Sequence, residues 1–478
     1  MSAEFGVIGL AVMGQNLALN VERSGFKCAV FNRTTARTEE FAEKHKGKNF
    51  IFTKSLEEFC ASLATPRKLL LMVKSGQAVD DFINKLLPFL SPGDIILDGG
   101  NSFFEDSERR FIELEQRKIH FIGLGISGGE LGALWGPALM AGCSDDAWKH
   151  VSPILKTIAA KAPQDNEPCC ANMGPRGAGH ATKTIHNGIE YALLQLIAET
   201  YDVFRNIGGM SADQIADVFQ SWSKGDLASY LIEISHVVLR KKDDRDPSVN
   251  IVDVIVDAAK QKGTGKWTSQ MAMDLNAPIP TIDVSTGSRF ISSFKDIRTS
   301  LSKKIDPKSN TAKHVTKIDM DRLAYIQERS LLAAFILSYV QGLDMLAKLS
   351  LERSYDTSMV DVAKVWRAGC IIRHAKLLQD FTNAYSRNPS TQFLMADDTI
   401  SSMLAETIPF LREVVVMGVS SGVPVAALAS ALEYFDAMHT EYLPANLVQG
   451  LRDCFGAHTY QRLDETDKNK TFHTEWME

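Results

Sequence analysis

The sequence lacks the features that mark several classes of protein. Its net charge of −6, with both signs spread along the chain, gives no basic field for nucleic acid. Its longest apolar run, residues 331–340, is much shorter than the ~20 residues of a bilayer span. Its seven cysteines include no C-x-x-C pair and no zinc-ligand spacing. We therefore expect a cytoplasmic protein with reduced thiols, no bound metal, and no nucleic-acid or membrane partner.

What the sequence does have is enough apolar material for a large core, at 478 residues and 45% hydrophobic. Short apolar runs alternate with helical patterns through the first 170 residues or so, which predicts βαβ units and a parallel sheet. The predicted strands are residues 5–8, 28–31, 69–73, 95–97 and 120–124, with helices at 78–90 and 104–118 among those between them.

The pattern changes after Gly177, where apolar residues recur at helical spacing for some 260 residues. The last 35 or so residues are polar and aperiodic, which is typical of a segment that is either disordered or packed on a partner. We expect an α/β Rossmann-type domain over residues 1–176, a large all-α domain over 177–440, and a C-terminal tail over 441–478.

A glycine-rich turn follows the first predicted strand and opens a helix, as in dinucleotide-binding units. It reads Gly9-Leu10-Ala11-Val12-Met13-Gly14. Gly9 permits a tight turn, Gly14 permits close helix–strand packing, and the helix N-terminus offers N–H groups to a pyrophosphate. Ala11 replaces the usual second glycine and should hold the pyrophosphate slightly farther away.

The end of the second predicted strand reads Asn32-Arg33-Thr34. NAD enzymes carry an acidic residue there, which would repel a 2′-phosphate, whereas Arg33 offers phosphate a fork of donors. The sequence therefore predicts NADP as cofactor. Lys74 and Ser75 are expected at the same edge of the sheet. The alternative is that Arg33 is an exposed residue of a solvated loop.

A second polar cluster lies past the sheet. Lys183, His186, Asn187, Glu190 and Tyr191 fall on one face of a helix, and Ile185, Ile189, Leu193 and Leu194 supply a separate apolar side. Such a face is either a solvent face or the wall of a site, and we favour the site.

Two further turns follow predicted strands, at the strand ends where such sheets bind ligands. They are Ile126-Ser127-Gly128-Gly129-Glu130 and Asp98-Gly99-Gly100-Asn101-Ser102. Residues 261–267, Gln-Lys-Gly-Thr-Gly-Lys-Trp, resemble a phosphate loop in composition but not in spacing, and could equally be a helix end with a glycine cap.

These stretches together resemble the 6-phosphogluconate dehydrogenase family, from Gly9 to Arg462. The most specific pieces are residues 183–191, 261–267, 366–373 (Trp-Arg-Ala-Gly-Cys-Ile-Ile-Arg) and 455–460 (Phe-Gly-Ala-His-Thr-Tyr). The resemblance implies NADP-dependent oxidation of 6-phosphogluconate at C3, then loss of CO2 to give ribulose 5-phosphate, a step of the pentose phosphate pathway, without a metal. It also implies that Lys183 is the general base and later acid at O3, and that Glu190 protonates C1 of the enediol.

The resemblance assigns ligand contacts as well. The implied cofactor residues are Gly9, Leu10, Ala11, Val12, Met13, Gly14, Asn32, Arg33, Thr34, Val73, Lys74, Ser75 and Asn101. The substrate's carboxylate and hydroxyls are expected at Asn101, Ser127, Gly128, Gly129, His186 and Asn187. Its phosphate is expected at Tyr191, Lys262, Thr264 and Arg289, joined by Arg452 and His458 of the partner subunit. The implied assembly is a homodimer whose polar tail enters the neighbouring active site.

The chain departs from the family pattern at four places. Leu131 and Leu134 stand where the family usually has Glu and Arg, and Ala141 and Cys143 stand where it has Pro and Gly. These changes leave Ser127–Gly129 intact, but we expect them to affect the mobility of the loop that follows Glu130 and the cofactor contacts near it.

Two other functions compete with this interpretation. A related NADP-dependent β-hydroxyacid dehydrogenase would share the glycine-rich turn, the Ser-Gly-Gly turn and the helix lysine, but would need no phosphate cluster. A catalytically silent NADP-binding protein would have no need of the pair Lys183 and Glu190.

Overall fold

The computed structural model describes residues 2–261, 263–305 and 319–477. Strands and helices alternate through the N-terminal part, as predicted. Its strands are β1 Phe5–Ile8, β2 Cys28–Phe31, β3 Phe50–Phe52, β4 Lys68–Leu71, β5 Ile95–Asp98, β6 His120–Ser127, β7 Ala138–Gly142 and β8 Cys170–Asn172. Its helices are α1 Val12–Arg23, α2 Thr35–Lys44, α3 Leu56–Ala61, α4 Gln77–Leu86, α5 Phe104–Glu115, α6 Gly129–Trp135 and α7 Asp145–Ile158, with a 3-10 turn at Leu87–Phe89.

All eight strands form one sheet in the order β3-β2-β1-β4-β5-β6-β7-β8. The five predicted strands pair in parallel, as expected, whereas β7, which was not predicted, pairs antiparallel with β6. The connection between them, residues 128–137, is shorter than the roughly dozen residues that a parallel crossover needs. The predicted helix at 78–90 also ends early: α4 stops at Leu86, where Pro88 in the 3-10 turn cannot continue it.

The sheet is buried on both faces, which explains the nearly continuous apolar runs of its strands. Val7, Leu70 and Leu97 belong to the core on one face. Ile8, Leu71 and Ile96 belong to the core on the other. With both faces covered, the carboxyl ends of the strands are left as the place where turns can meet a ligand.

The rest of the chain is helical, as predicted. Its helices are α8 Ala178–Asn206, α9 Ala212–Trp222, α10 Tyr230–Arg240, α11 Thr264–Asp274, α12 Pro280–Ser293, α13 Lys295–Ser302, α14 Met320–Arg353, α15 Met359–Val365, α16 Ala375–Arg387, α17 Asp398–Ser420, α18 Ala426–Met438 and α19 Ala445–Gly456, with 3-10 turns at Ile251–Asp253 and Leu394–Ala396.

Helix α14 runs through the middle of the helical part and packs chiefly on α8 and α17. Among the described residues it is the one helix that is long and apolar enough to cross a membrane, by length and composition. Yet 89% of its most apolar window is buried inside the protein, as is typical of a core helix. Buried Ser330 and Gln341 flank its apolar run at residues 331–340, so that run alone is shorter than a bilayer span.

The contacts divide the chain into two compact units, residues 1–431 and 432–478. The second unit has its own buried centre at Asp453, a residue of α19. The Asp453 carboxylate accepts hydrogen bonds from the backbone N–H groups of Thr459 (2.8 Å) and Thr474 (3.1 Å) and from the Trp476 indole (2.8 Å). The tail therefore has local structure that its polar, aperiodic sequence does not indicate.

Helix α8 touches the sheet through glycines, and we name this contact, made by Gly123, Gly125 and Gly179, the glycine seam. A Cβ added at Gly179 would lie 2.3 Å from the Gly123 carbonyl oxygen. A Cβ added at Gly125 would lie 2.6 Å from the Cβ of Lys183. Real side chains do not approach so closely, so the helix can lie here only because these positions carry none.

Gly125→Ala should therefore push α8 away from β6 and lower the free energy of unfolding by about 1–3 kcal/mol, the usual cost of overpacking a core. Denaturant unfolding followed by circular dichroism measures it. Gly287→Ala on α12 is the matched control, since nothing lies within 4 Å of a Cβ placed there. Equal unfolding midpoints for the two variants would contradict the seam.

Candidate active site

The glycine-rich turn after β1 has the geometry that the sequence predicts. Gly9 has φ +101°, and a Cβ there would lie 2.4 Å from the Met72 carbonyl oxygen. A Cβ at Gly14 would lie 1.9 Å from the Gly9 carbonyl oxygen. Gly9 is thus required for the turn and Gly14 for the approach of α1, as expected.

The N-terminus of α1 is free to receive an anion. Ala11 is its N-cap and makes no side-chain capping bond, and the first turn carries no acidic residue. The Asn32 carboxamide accepts a hydrogen bond from the Leu10 N–H at 3.0 Å and donates one to the Thr34 carbonyl at 3.0 Å. Asn32 thereby ties the turn to the end of β2 and leaves Arg33 exposed beside it. These residues fit a dinucleotide with a 2′-phosphate.

The other predicted cofactor residues lie at the same edge of the sheet. Val73, Lys74 and Ser75 follow β4, and Asn101 follows β5. A Cβ at Gly100 would lie 3.3 Å from the Val73 carbonyl oxygen, so the two turns are neighbours. Lys74 and Asn101 are both exposed, which makes them available to a ligand.

A buried network that the sequence did not reveal holds these two turns. Asp98 accepts hydrogen bonds from the Gly100 N–H (3.0 Å), the Ser102 hydroxyl (2.6 Å) and the Arg110 guanidinium (3.4 Å). Arg110 is 1% exposed and also binds Asp80 at 2.8 Å and the Gly76 carbonyl oxygen at 3.1 Å. One guanidinium thus joins the turn after β4 to the turn after β5.

The polar face of α8 is buried and its side chains contact one another. The Lys183 ammonium donates to the Asn187 carboxamide oxygen at 2.7 Å and lies 3.2 Å from His186 Nδ1. His186 Nε2 lies 3.2 Å from the Ser127 hydroxyl. Lys183, His186, Asn187 and Ser127 are all buried, so the solvent-face alternative is excluded.

Burial shifts the pKa values of Lys183 and Glu190 in opposite directions. Desolvation lowers the pKa of Lys183 from 10.5 to about 8, although the nearby Glu190 charge opposes the shift. Desolvation raises the pKa of Glu190 above its ordinary value, against the charges of Lys183 and Arg289. The pKa of His186 is far below its usual range, because its ring is buried and Lys183 is near, so the imidazole is neutral.

The Ser127–Gly129 turn joins β6 to α6 and rests on the segment after α15. Gly128 has φ +146°, and a Cβ there would lie 2.5 Å from the Gly369 carbonyl oxygen. The Ile371 N–H donates to the Ser127 hydroxyl at 3.4 Å. Residues 369–371 thus support the turn, a role that their motif alone did not indicate.

Some of the residues expected at the substrate phosphate lie close together, namely Tyr191, Arg289 and the start of α11. The Arg289 guanidinium lies 4.7 Å from the centre of the Tyr191 ring, and a Cβ at Gly265 would lie 2.6 Å from that ring. Thr264 opens α11 behind Gly263, which has φ +99°. The segment is the N-terminal start of a helix, with Gly263 at its N-cap, and not the C-terminal end that the sequence offered as the alternative.

Three residues of the predicted phosphate set are not placed in this cluster. Lys262 lies outside the described residues. Arg452 and His458 belong to the second compact unit, where both are exposed.

The departures at Leu131 and Leu134 fall on α6, which is fastened to α1. The Asn16 carboxamide donates to the Glu130 carbonyl at 2.9 Å, and Arg23 donates to the Leu134 carbonyl at 3.1 Å. Leu131 itself is 69% exposed. The loop is therefore held by backbone contacts that do not depend on the residue types at these two positions. Ala141 and Cys143 are both buried at or just beyond β7.

Comparison with known proteins agrees with this geometry along the whole chain. Residues 4–174 match the NAD binding domain of 6-phosphogluconate dehydrogenase, and residues 179–476 match its C-terminal domain. The chain belongs to the 6-phosphogluconate dehydrogenase family.

Individual members of the family are similar over nearly their full length. The decarboxylating 6-phosphogluconate dehydrogenase of Lactococcus lactis subsp. cremoris is 47% identical over 99% of this chain and 98% of that protein. The NADP(+)-dependent, decarboxylating enzyme of Bacillus subtilis is 48% identical over 99% of both. The Plasmodium falciparum 6-phosphogluconate dehydrogenase structure, solved in its apo form and with NADP+ or 6-phosphogluconate, is 39% identical, with a TM-score of 0.94 over 99% of this chain and all of that one.

The shifted pKa of Lys183 can be measured directly in this member of the family. A neutral amine reacts with formaldehyde and cyanoborohydride, so methylation of Lys183 should rise with pH to a midpoint at about 8. Glu190→Gln should lower that midpoint further, since it removes the charge that stabilises the ammonium. Peptide mass spectrometry follows the reaction, with exposed Lys149 as reference. A midpoint near 10 in the wild-type protein would show that burial does not lower the pKa of Lys183.

Proposed function

We propose that the protein oxidises 6-phosphogluconate with NADP and decarboxylates the product to ribulose 5-phosphate and CO2. One observation supports this most directly: α8 carries a buried amine whose pKa is lowered to about 8 and, two turns further on, a carboxyl group whose pKa is raised. Oxidative decarboxylation needs such a pair, because one proton leaves a hydroxyl and another is later delivered to carbon.

Lys183 is the proposed general base. With a pKa of about 8, a substantial fraction of the amine is neutral near physiological pH and can take the proton of the C3 hydroxyl. The protonated amine then stays beside O3, where its positive charge polarises the new carbonyl and favours loss of CO2. The Asn187 oxygen at 2.7 Å fixes the direction of the amine.

Glu190 is the proposed acid that protonates C1 of the enediol. It is partly buried, and its raised pKa increases the fraction that carries a proton at neutral pH. His186 lies between the two on the same helix face, with Nδ1 4.0 Å from the Glu190 carboxylate and 3.2 Å from the Lys183 amine. Because this imidazole is neutral, it adds no charge that would change the pKa of Lys183 or of Glu190.

The cofactor residues fit NADP through the glycine turn, the uncapped start of α1 and the exposed Arg33. When bound, NADP supplies the hydride acceptor. We assign it to the turns after β1, β2, β4 and β5, which comprise residues 9–14, 32–34 and 73–75 together with Asn101. Arg33 recognises the 2′-phosphate and the start of α1 the pyrophosphate.

The substrate is assigned to the pocket wall formed by α8 and the Ser127–Gly129 turn. Asn101, Ser127, Gly128, Gly129, His186 and Asn187 bind its carboxylate and hydroxyls. Its phosphate is bound by Tyr191, Lys262, Thr264 and Arg289, with Arg452 and His458 of the partner subunit. We therefore propose a homodimer in which residues 441–478 of one subunit complete the site formed by domains 1–176 and 177–440 of the other. The free thiols of six buried cysteines fit the cytoplasm, where we place the protein.

The decisive experiment follows NADPH absorbance and CO2 release together after purified protein is mixed with NADP and 6-phosphogluconate. We expect the two products in equal amounts. NADPH without CO2 would instead support a β-hydroxyacid dehydrogenase. Binding of NADP without any NADPH formation would support a silent nucleotide-binding protein.

Arg33→Asp should shift the preference from NADP towards NAD, because a carboxylate repels the 2′-phosphate and accepts the ribose hydroxyls. We expect kcat/KM for NADP to fall roughly 100-fold or more, in keeping with the loss of a charge-assisted pair. Arg37→Asp is the matched control, an exposed arginine on the following helix. An unchanged ratio of NADP to NAD efficiency would refute the assignment of Arg33.

The exchanged tail can be tested by co-expressing two inactive variants, Lys183→Met and Arg452→Ala. If Arg452 serves the neighbouring site, each mixed dimer holds one complete site. Random pairing then restores about a quarter of wild-type turnover, since half of the dimers are mixed. If Arg452 serves its own subunit, every site stays incomplete and no turnover returns. Each variant alone provides the baseline.

A further inference from the structure

A buried imidazole that the proposed chemistry does not use lies one helical turn before the catalytic lysine. His180 is 1% exposed, and a Cβ at Gly123 would lie 2.9 Å from its Nδ1. Gly123 and Gly125 are two residues apart on β6 and therefore face the same side of the sheet. His180 and Lys183 thus rest on adjacent positions of the glycine seam.

One strong hydrogen bond ties this ring to the N-terminal sheet domain. His180 Nδ1 lies 2.6 Å from the hydroxyl of Ser107, which is fully buried on α5. Helix α5 begins directly after the turn that carries Asn101. Burial lowers the pKa of His180 below its ordinary value, so the ring is neutral and brings no charge towards Lys183.

The same ring lies close enough to the end of β5 to feel its backbone. The backbone of Asp98 and Gly100 acts on the imidazole and partly offsets the effect of burial on its pKa. Nε2 is buried and has no hydrogen-bond partner within the described part of the chain. Asp98 also binds Gly100, Ser102 and Arg110, so hydrogen bonds fix the end of β5 near the ring.

We propose that His180 is a positioning residue that sets the distance between Lys183 and the turn at residues 99–101. The inference rests on the proposed function, in which Lys183 and Asn101 act on one substrate. A displacement of one ångström at the reacting atoms can cost roughly 100-fold in rate. His180 therefore sets how Lys183 and the substrate are aligned for hydride transfer. It contributes little to the affinity for NADP or for 6-phosphogluconate.

The test uses His180→Gln and Ser107→Ala in the full-length protein, with Thr182→Val as control. Thr182 is fully buried on the same helix, but within residues 2–261, 263–305 and 319–477 its hydroxyl bonds only the Ala178 carbonyl, at 2.8 Å. Four quantities are measured: kcat, KM for 6-phosphogluconate, the Kd of NADPH from its fluorescence, and the isotope effect on kcat with substrate deuterated at C3.

His180→Gln should lower kcat about 10- to 100-fold. The KM and the NADPH Kd should stay within about twofold, and the isotope effect should rise because hydride transfer becomes the slower step. Ser107→Ala should also lower kcat and raise the isotope effect, but by less. If His180→Gln does not fold, the result for Ser107→Ala tests the proposal. The control should leave the isotope effect unchanged.

An unchanged kcat and isotope effect in the folded variants would overturn the role of His180. So would a fall in kcat with a constant isotope effect, since a purely structural residue only reduces the number of active molecules. A wild-type protein that forms no NADPH from 6-phosphogluconate overturns the proposed function, and this inference with it. An active wild-type protein with unaffected variants overturns this inference alone.

Discussion

The site depends on the direct contact between helix α8 and the bare face of β6. Gly123, Gly125 and Gly179 present no side chains where the two elements meet, so the helix backbone comes within van der Waals distance of the strand. Lys183 is thereby carried into the interior, where only 6% of it is exposed. A lysine on a helix held one side chain farther from the sheet would be better solvated and would keep most of its ordinary basicity.

The same burial tunes two groups of opposite charge. Removing water disfavours an ammonium and a carboxylate alike, so it lowers one pKa and raises the other. Each group opposes the shift of its neighbour, which limits both changes. Desolvation of one helix face therefore shifts the pKa values of both the proposed base and the proposed acid in the direction that each role requires.

Much of this was visible in the sequence because it depends on local pattern. The bounds of β1 and β2, the turn from Gly9 to Gly14 and the polar face of α8 follow from periodicity and glycine placement. Strand β7 was missed because Ala138–Gly142 has no β-branched residue, and β3 was missed because it is only three residues long. The partners of His180 and Arg110, however, come from distant segments that no local pattern connects.

Helix α14 has a consequence for the biogenesis of the chain. Its apolar window would pass for a membrane anchor, yet in the folded protein it is covered mainly by α8 and α17. During synthesis α8 leaves the ribosome before α14, whereas α17 follows about fifty residues later. The nascent chain therefore passes through an interval in which α8 is available to cover this apolar helix and α17 is not.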